Sequence, residues 1–182
     1  MTAQVILLRG INVGGHGKLT MADLKAHLAA LGAERVETHI QSGNAVVSPP
    51  VDPEALADRI EAAQGFRPHV AAIAAGDWDA RMARNPFADR MTEADPQSLH
   101  VFFLDGRVAD DGTDRPILAR FVVLADRDEE FGSTPGALWL WAPSGIGRSK
   151  LAAAMETLAG KPVTARNWRT VQAISGMLER LR

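Results

Sequence analysis

Near the start of the chain, RGINVGGHGK at 9–18 gathers Arg9, Asn12, His16 and Lys18 among four glycines. Guanidinium, amide, imidazole and ammonium groups all donate hydrogen bonds, and glycine lets backbone N–H groups turn toward a ligand. The chemistry this composition suits is anion binding at a strand-to-helix junction. The plainer alternative is a tight loop whose glycines only permit positive φ. A phosphate-binding P-loop is excluded, because the residue five before Gly17 is Asn12 and Lys18 is followed by Leu19. The GxGxxG dinucleotide fingerprint is also absent.

Three further segments carry donors. GIGRSK at 145–150 sets Arg148, Ser149 and Lys150 at a predicted helix start. Positive side chains there oppose the helix dipole by about a few tenths of a kcal/mol each, a conflict that a bound anion would remove. Their other reading is exposure to solvent, or pairing with acidic residues of the middle segment. TARNWRT at 164–170 brackets another helix start with Arg166 and Arg169, with Asn167 as cap and Trp168 as a core residue. QSGN at 41–44 offers Ser42 and Asn44 in a turn between strands, where amides and hydroxyls commonly serve the turn itself. The candidate ligand-binding residues are therefore Arg9, Asn12, Lys18, Ser42, Asn44, Arg148, Lys150, Arg166 and Asn167.

Other chemistries find little support. With no cysteine, thiolate catalysis, disulfides and Cys-based metal centres are excluded. The histidines His16, His27, His39, His69 and His100 show neither HExxH nor close paired spacing, so neither a metal nor another cofactor is expected. There is no GxSxG elbow, and Ser144 and Ser149 lack an identifiable base. Asp77, Asp79, Asp105 and the run 126–130 read as solvated caps and turns. Trp139 and Trp141 share one face of a predicted strand, where they could stack bases, but without an RNP signature they read as core.

The ordered set LLRGINVGG at 7–15, QSGN at 41–44, NPF at 85–87, GIGRSKL at 145–151 and ARNW at 165–168 resembles a bacterial family known as domain of unknown function 1697. The resemblance runs from the first strand to the last helix. It implies a fold of two ferredoxin-like subdomains and, by the family's name, no assigned activity. The chain departs from the family's usual pattern at Arg169, a position more often Asn, and in the WLW strand.

The elements that must position these segments follow from periodicity. An apolar run at 4–9 reads as a buried strand, and Thr20 caps a helix with Leu24, Leu28 and Leu31 on one face. Strands at 34–40 and 45–48 flank QSGN. Asp52 and Pro53 open a helix carrying Leu56, Ile60 and Ala63, and 68–74 closes the unit. This β-α-β-β-α-β order is ferredoxin-like. A helix over 77–84 connects to a second unit, with Asn85 and Pro86 ending it and Phe87 expected to be buried. Strands at 99–104, 137–141 and 163–165 surround a segment from Pro116 to Leu124 that fits helix or strand, and a helix through Leu151, Met155 and Leu158. A last helix carries Trp168, Val171, Ile174, Leu178 and Leu181. The predicted class is α+β: unit one at 1–74, a connection at 75–98, and unit two with the terminal helix at 99–182. Each unit is expected to form one sheet with helices on one face. If the units are related by an approximate twofold, Arg9, Asn12, Arg148 and Asn167 are expected to converge on a positively charged cleft with Ser42 and Asn44 near its rim.

Charge is uneven along the 182 residues: net −1 over 1–74, −6 over 75–144 and +5 over 145–182, for a total of −2. A basic segment beside an acidic one suits equally well an anion-binding face or two surfaces that attract each other, within the fold or across a homodimer. The apolar run Val5 to Leu8 is shorter than a signal sequence needs, so a cytoplasmic protein is expected. The uncharged stretch 131–147 is interrupted by Gly and Pro, so no membrane partner is expected. The readings carried forward are a binding module for an anionic small molecule or short nucleic acid, an enzyme acting on a phosphorylated small molecule, and a scaffold.

Overall fold

The computed structural model describes residues 2–92, 95–104, 124–160 and 162–182. The chain divides into two units, Met1–Asp79 with Gln172–Arg182, and Ala80–Val171.

In the first unit, β1 (Gln4–Arg9), β2 (Arg35–His39), β3 (Asn44–Ser48) and β4 (His69–Ala74) form an antiparallel sheet in the order β2-β3-β1-β4. The helices α1 (Met21–Ala30) and α2 (Pro53–Gln64) supply the two α positions of the ferredoxin-like order. Both helices start where local chemistry says they should. Thr20 Oγ1 accepts the Asp23 N–H at 3.0 Å, and Asp52 Oδ1 accepts the Glu54 N–H at 3.0 Å with Pro53 opening the helix. Ile6, Leu8, Ala45 and Val47 pack against Leu24, Leu28, Leu56 and Ile60, all buried. Each such aliphatic side chain contributes about 1.5–3 kcal/mol. Ala63, expected on this face, is exposed.

The second unit repeats the topology. Its strands β5 (Leu99–Leu104), β6 (Glu130–Thr134), β7 (Ala137–Trp141) and β8 (Val163–Asn167) lie in the order β6-β7-β5-β8, again antiparallel. The helix α4 (Lys150–Ala159) lays Leu151 and Met155 on Phe102, Leu138 and Leu140. The segment 105–123, which holds most of the helix-or-strand ambiguity and Asp105, lies outside the described residues, as does the Leu158 side chain. Helix α3 (Ala75–Met82) ends short of Asn85, whose Oδ1 accepts the Phe87 N–H at 2.9 Å. Phe87 is buried as expected. Its ring lies 6.1 Å from that of Trp141, and the Arg90 guanidinium sits over both rings while forming two 2.8 Å hydrogen bonds to Glu130.

The terminal helix α5 (Trp168–Leu181) buries Val171, Ile174, Leu178 and Leu181 of the expected stripe, whereas Trp168 at its first position is half-buried. Its portion from Gln172 onward groups with the first unit rather than the second. Five side-chain contacts tie it there: Trp78 Nε1 donates to Ser175 Oγ at 2.9 Å, Arg35 donates to the Arg180 and Leu181 carbonyls, Arg180 pairs with Glu37, and Arg182 pairs with Asp79. Among the described residues no helix is long and apolar enough to cross a membrane.

Candidate functional site

After β1 the chain folds into a small finger before reaching α1. The His16 N–H donates to the Val13 carbonyl at 2.9 Å, and the Asn12 N–H donates to the Gly17 carbonyl at 2.9 Å. Gly14 and Gly15 form the tip at φ +59° and +81°. Positive φ at both central residues is what a type I′ two-residue hairpin turn requires. At Gly17 (φ +62°) a Cβ would collide with the Gly10 carbonyl oxygen. The glycines therefore shape a hairpin, and the Asn12 and His16 amides close it instead of facing outward as an anion cradle.

Asn12 is the clamp at the finger's base. Its Nδ2 donates to the Leu19 and Gln41 carbonyls, both at 2.8 Å, and its Oδ1 accepts the Leu19 N–H at 3.0 Å. Both amide protons are thus committed within the protein. The Gln41 bond ties the finger to the turn at 40–43 between β2 and β3. There Asn44, wholly buried, donates to the His39 carbonyl at 3.0 Å and to Ser42 Oγ at 2.9 Å. The Leu8 N–H donates to the Gly43 carbonyl at 2.8 Å, and a Cβ at Gly43 would lie 2.7 Å from Leu8 Cβ. Asn12, Ser42 and Asn44 are accordingly organisers of the two loops.

What these loops expose is different in kind. Arg9, His16 and Lys18 are exposed, and segments 9–18 and 39–44 contain no carboxylate. Val13 and Ile40 are the exposed large apolar side chains, and Ile40 is held at φ +47°, which β-branched residues seldom adopt. The glycines and charges drew attention to this region from sequence. The apolar tips were missed, although Val-Gly-Gly-His is itself a hairpin signal.

In the second unit, Ser149 caps α4, its Oγ accepting the Ala152 N–H at 2.8 Å, and Lys150 is exposed on the first turn. Arg148 lines a pocket of about 510 Å³ together with Asp126, Asp128, Glu129 and Ser144. Glu129 accepts the Asp126 N–H at 3.0 Å, and Ser144 Oγ donates to Asp128 at 2.5 Å. Three carboxylates against one guanidinium make this wall net negative, so the helix-start argument for an anion at Arg148 meets opposing charge. That acidic run lies some twenty residues upstream, in the middle segment named above as the alternative partner of these cations.

Arg166 and Asn167 have structural partners of their own. Asn167 Oδ1 accepts the Thr170 N–H at 2.9 Å, the expected cap. Arg166 stands opposite Val101 in the β5–β8 register and donates to the Ala165 carbonyl at 2.7 Å, and burial lowers its pKa to about 10. Trp139 is wholly buried, donates to Thr134 Oγ1 at 2.7 Å, and lies 6.0 Å from the Trp168 ring. The tryptophans are packing residues rather than a base-stacking platform. Among the described residues no three His, Cys, Asp or Glu side chains are grouped to hold a metal ion.

The solved structure of the conserved bacterial protein SP0830 from Streptococcus pneumoniae is similar over 97% of this chain and 98% of its own, at 23% identity and a TM-score of 0.63. That likeness concerns the fold. No curated protein matches the chain. The family model described as protein of unknown function (DUF1697) matches residues 1–139, a span that takes in the finger, the QSGN turn and the NPF stop. With both ferredoxin-like sheets in place as well, the chain belongs to the DUF1697 family.

Proposed function

We propose that the protein is a binding module for an anionic ligand, engaged at the finger of the first unit by the side chains of Arg9 and Lys18 with His16 beside them. The observation that carries the reading is the pairing of a clamped, projecting loop with local charge of a single sign: segments 9–18 and 39–44 hold Arg9 and Lys18 and no acid. Asn12, Ser42 and Asn44 contribute by holding the finger and the turn in place. A loop already held in place loses little entropy on binding.

An enzyme acting on a phosphorylated small molecule is the competing reading, and its natural seat is the pocket beside Arg148. A phosphate there would face Asp126, Asp128 and Glu129. Each like-charge pair at 4 Å costs about 1 kcal/mol in water and about 4 kcal/mol near a protein surface, which favours the finger.

A thermal-shift screen with nucleotides, sugar phosphates and short oligonucleotides tests the proposal. A ligand at one hundred times its Kd adds about 2.7 kcal/mol to stability. The expected result is a shift with phosphate-bearing ligands that the Arg9→Ala/Lys18→Ala variant lacks. An equal shift in that variant, or none in the wild type, removes the proposal.

A further inference from the structure

GIGRSK at 145–150, which the finger leaves unexplained, lies in the second unit, where its residues form part of the lining of a pocket of about 510 Å³. Cavities of that size suit small metabolites. Asp126, Asp128, Glu129 and Arg148 bring charges of both signs to the lining, yet these charges do not neutralise one another. Among the described residues Arg148 has no ion pair and no side-chain hydrogen bond, and none of the three carboxylates is paired with a cation. Glu129 is the group that most needs one. It is only 9% exposed and its Oε2 accepts the Asp126 N–H, while Oε1 has no partner among the described residues. A buried carboxylate costs free energy unless a cation or further donors complete its surroundings, and here a ligand in the pocket can supply them.

The lining narrows what that ligand is. A phosphate or other simple anion meets three like charges, and an apolar molecule would bury charged groups unpaired. A metal ion needs its ligands gathered round one point, and no three carboxylates or histidines among the described residues are so grouped. A plain diamine satisfies the carboxylates but sets its own charge against Arg148. A molecule with one carboxylate and an excess of ammonium groups meets every charge with its opposite.

We propose that this pocket binds a basic amino acid, with its carboxylate on Arg148 and its ammonium groups on Glu129, Asp126 and Asp128. The site shares no residue with the finger, and it stands whether or not an anion binds there.

The test is isothermal titration calorimetry of the full chain with L-lysine, with cadaverine as the same diamine lacking the carboxylate, and with Mg²⁺. Arg148→Gln and Glu129→Gln are compared with the wild type, each checked for folding by thermal melting. Should Glu129→Gln melt early, Asp126→Asn takes its place, since the Asp126 side chain has no hydrogen bond or ion pair among the described residues. The expected result is saturable lysine binding, weaker cadaverine binding, and a loss of about tenfold or more for lysine in each variant, as removal of one charged contact implies. Arg148→Gln should also abolish the preference for lysine over cadaverine, because the group that reads the carboxylate and repels the bare amine is gone. The proposal is overturned by no saturable lysine binding, by equal affinities for lysine and cadaverine in the wild type, by lysine binding unchanged in either variant, or by Mg²⁺ bound in place of lysine.

Discussion

The Asn12 side chain reaches across 29 residues of sequence to donate its Nδ2–H to the Gln41 carbonyl at 2.8 Å. With its two bonds to Leu19, this makes one amide the joint between the finger and the β2–β3 turn. Asn12 itself sits at φ +53°, a region that Asn tolerates better than most residues.

Two substitutions at Asn12 separate its contributions. Asn12→Gly keeps the backbone conformation and removes three hydrogen bonds, for an expected loss of about 1–3 kcal/mol given partial replacement by water. Asn12→Ala adds the left-handed penalty, about 1 kcal/mol more. Urea unfolding of both variants measures the difference, and equal losses would mean that the conformation at this residue carries no strain.

The finger's glycines differ in what confines them. Gly14 and Gly17 share positive φ, but only Gly17 has no room for a Cβ, because the Gly10 carbonyl occupies that space. Gly14→Ala should cost about 1 kcal/mol, and Gly17→Ala clearly more, since the hairpin must open to admit it. Melting temperatures rank the two, and a Gly14→Ala loss at or above that of Gly17→Ala contradicts the packing described.

Relieving the strain at Ile40 should not harm the fold. Ile40→Asn is expected to leave stability unchanged or raise it by about 1 kcal/mol, because Asn accepts φ +47° more readily and the lost side chain was exposed. A clear loss in chemical denaturation would show that Ile40 packs against something in the folded protein.

Signals contained within one or two turns of chain were legible in the sequence. Thr20, Asp52 with Pro53, and Asn167 each announced a helix start, and each side chain accepts the expected amide. The strand order of the first unit followed from periodicity and matches its sheet, whereas in the second unit β6 (Glu130–Thr134) was not among the expected strands. Features that depend on distant partners were not legible. The stripe on α5 was evident, but nothing in its period says that Ser175 bonds Trp78 or that the Arg180 and Leu181 carbonyls are held by Arg35. The role of Asn12 rests on Gln41, and the surroundings of Arg148 rest on the acidic residues 126–129. Residue type located the loops, and tertiary partners decided which groups remained available in them.

Acid should weaken the protein through His100. Burial holds its pKa below the ordinary 6.5, against a smaller opposing effect of the Ser98 backbone, so the folded state binds its proton less readily than the unfolded state does. The associated stability is complete above about pH 6.5 and is lost as the pH falls through the lower folded-state value. His27, also lowered by burial but less enclosed, adds in the same direction. Urea midpoints at pH 5 and pH 8 should differ for the wild type and differ less for His100→Leu. An unchanged difference assigns the acid sensitivity to other groups.

The most direct test of the anion-binding account is a 15N-resolved NMR titration with inorganic pyrophosphate, which reads where an anion sits without presupposing its identity. The account predicts saturable shifts concentrated in residues 9–18 and 39–44, abolished in Arg9→Ala/Lys18→Ala. Shifts centred on Arg148 and the pocket beside it, or no saturable shifts at all, would contradict it.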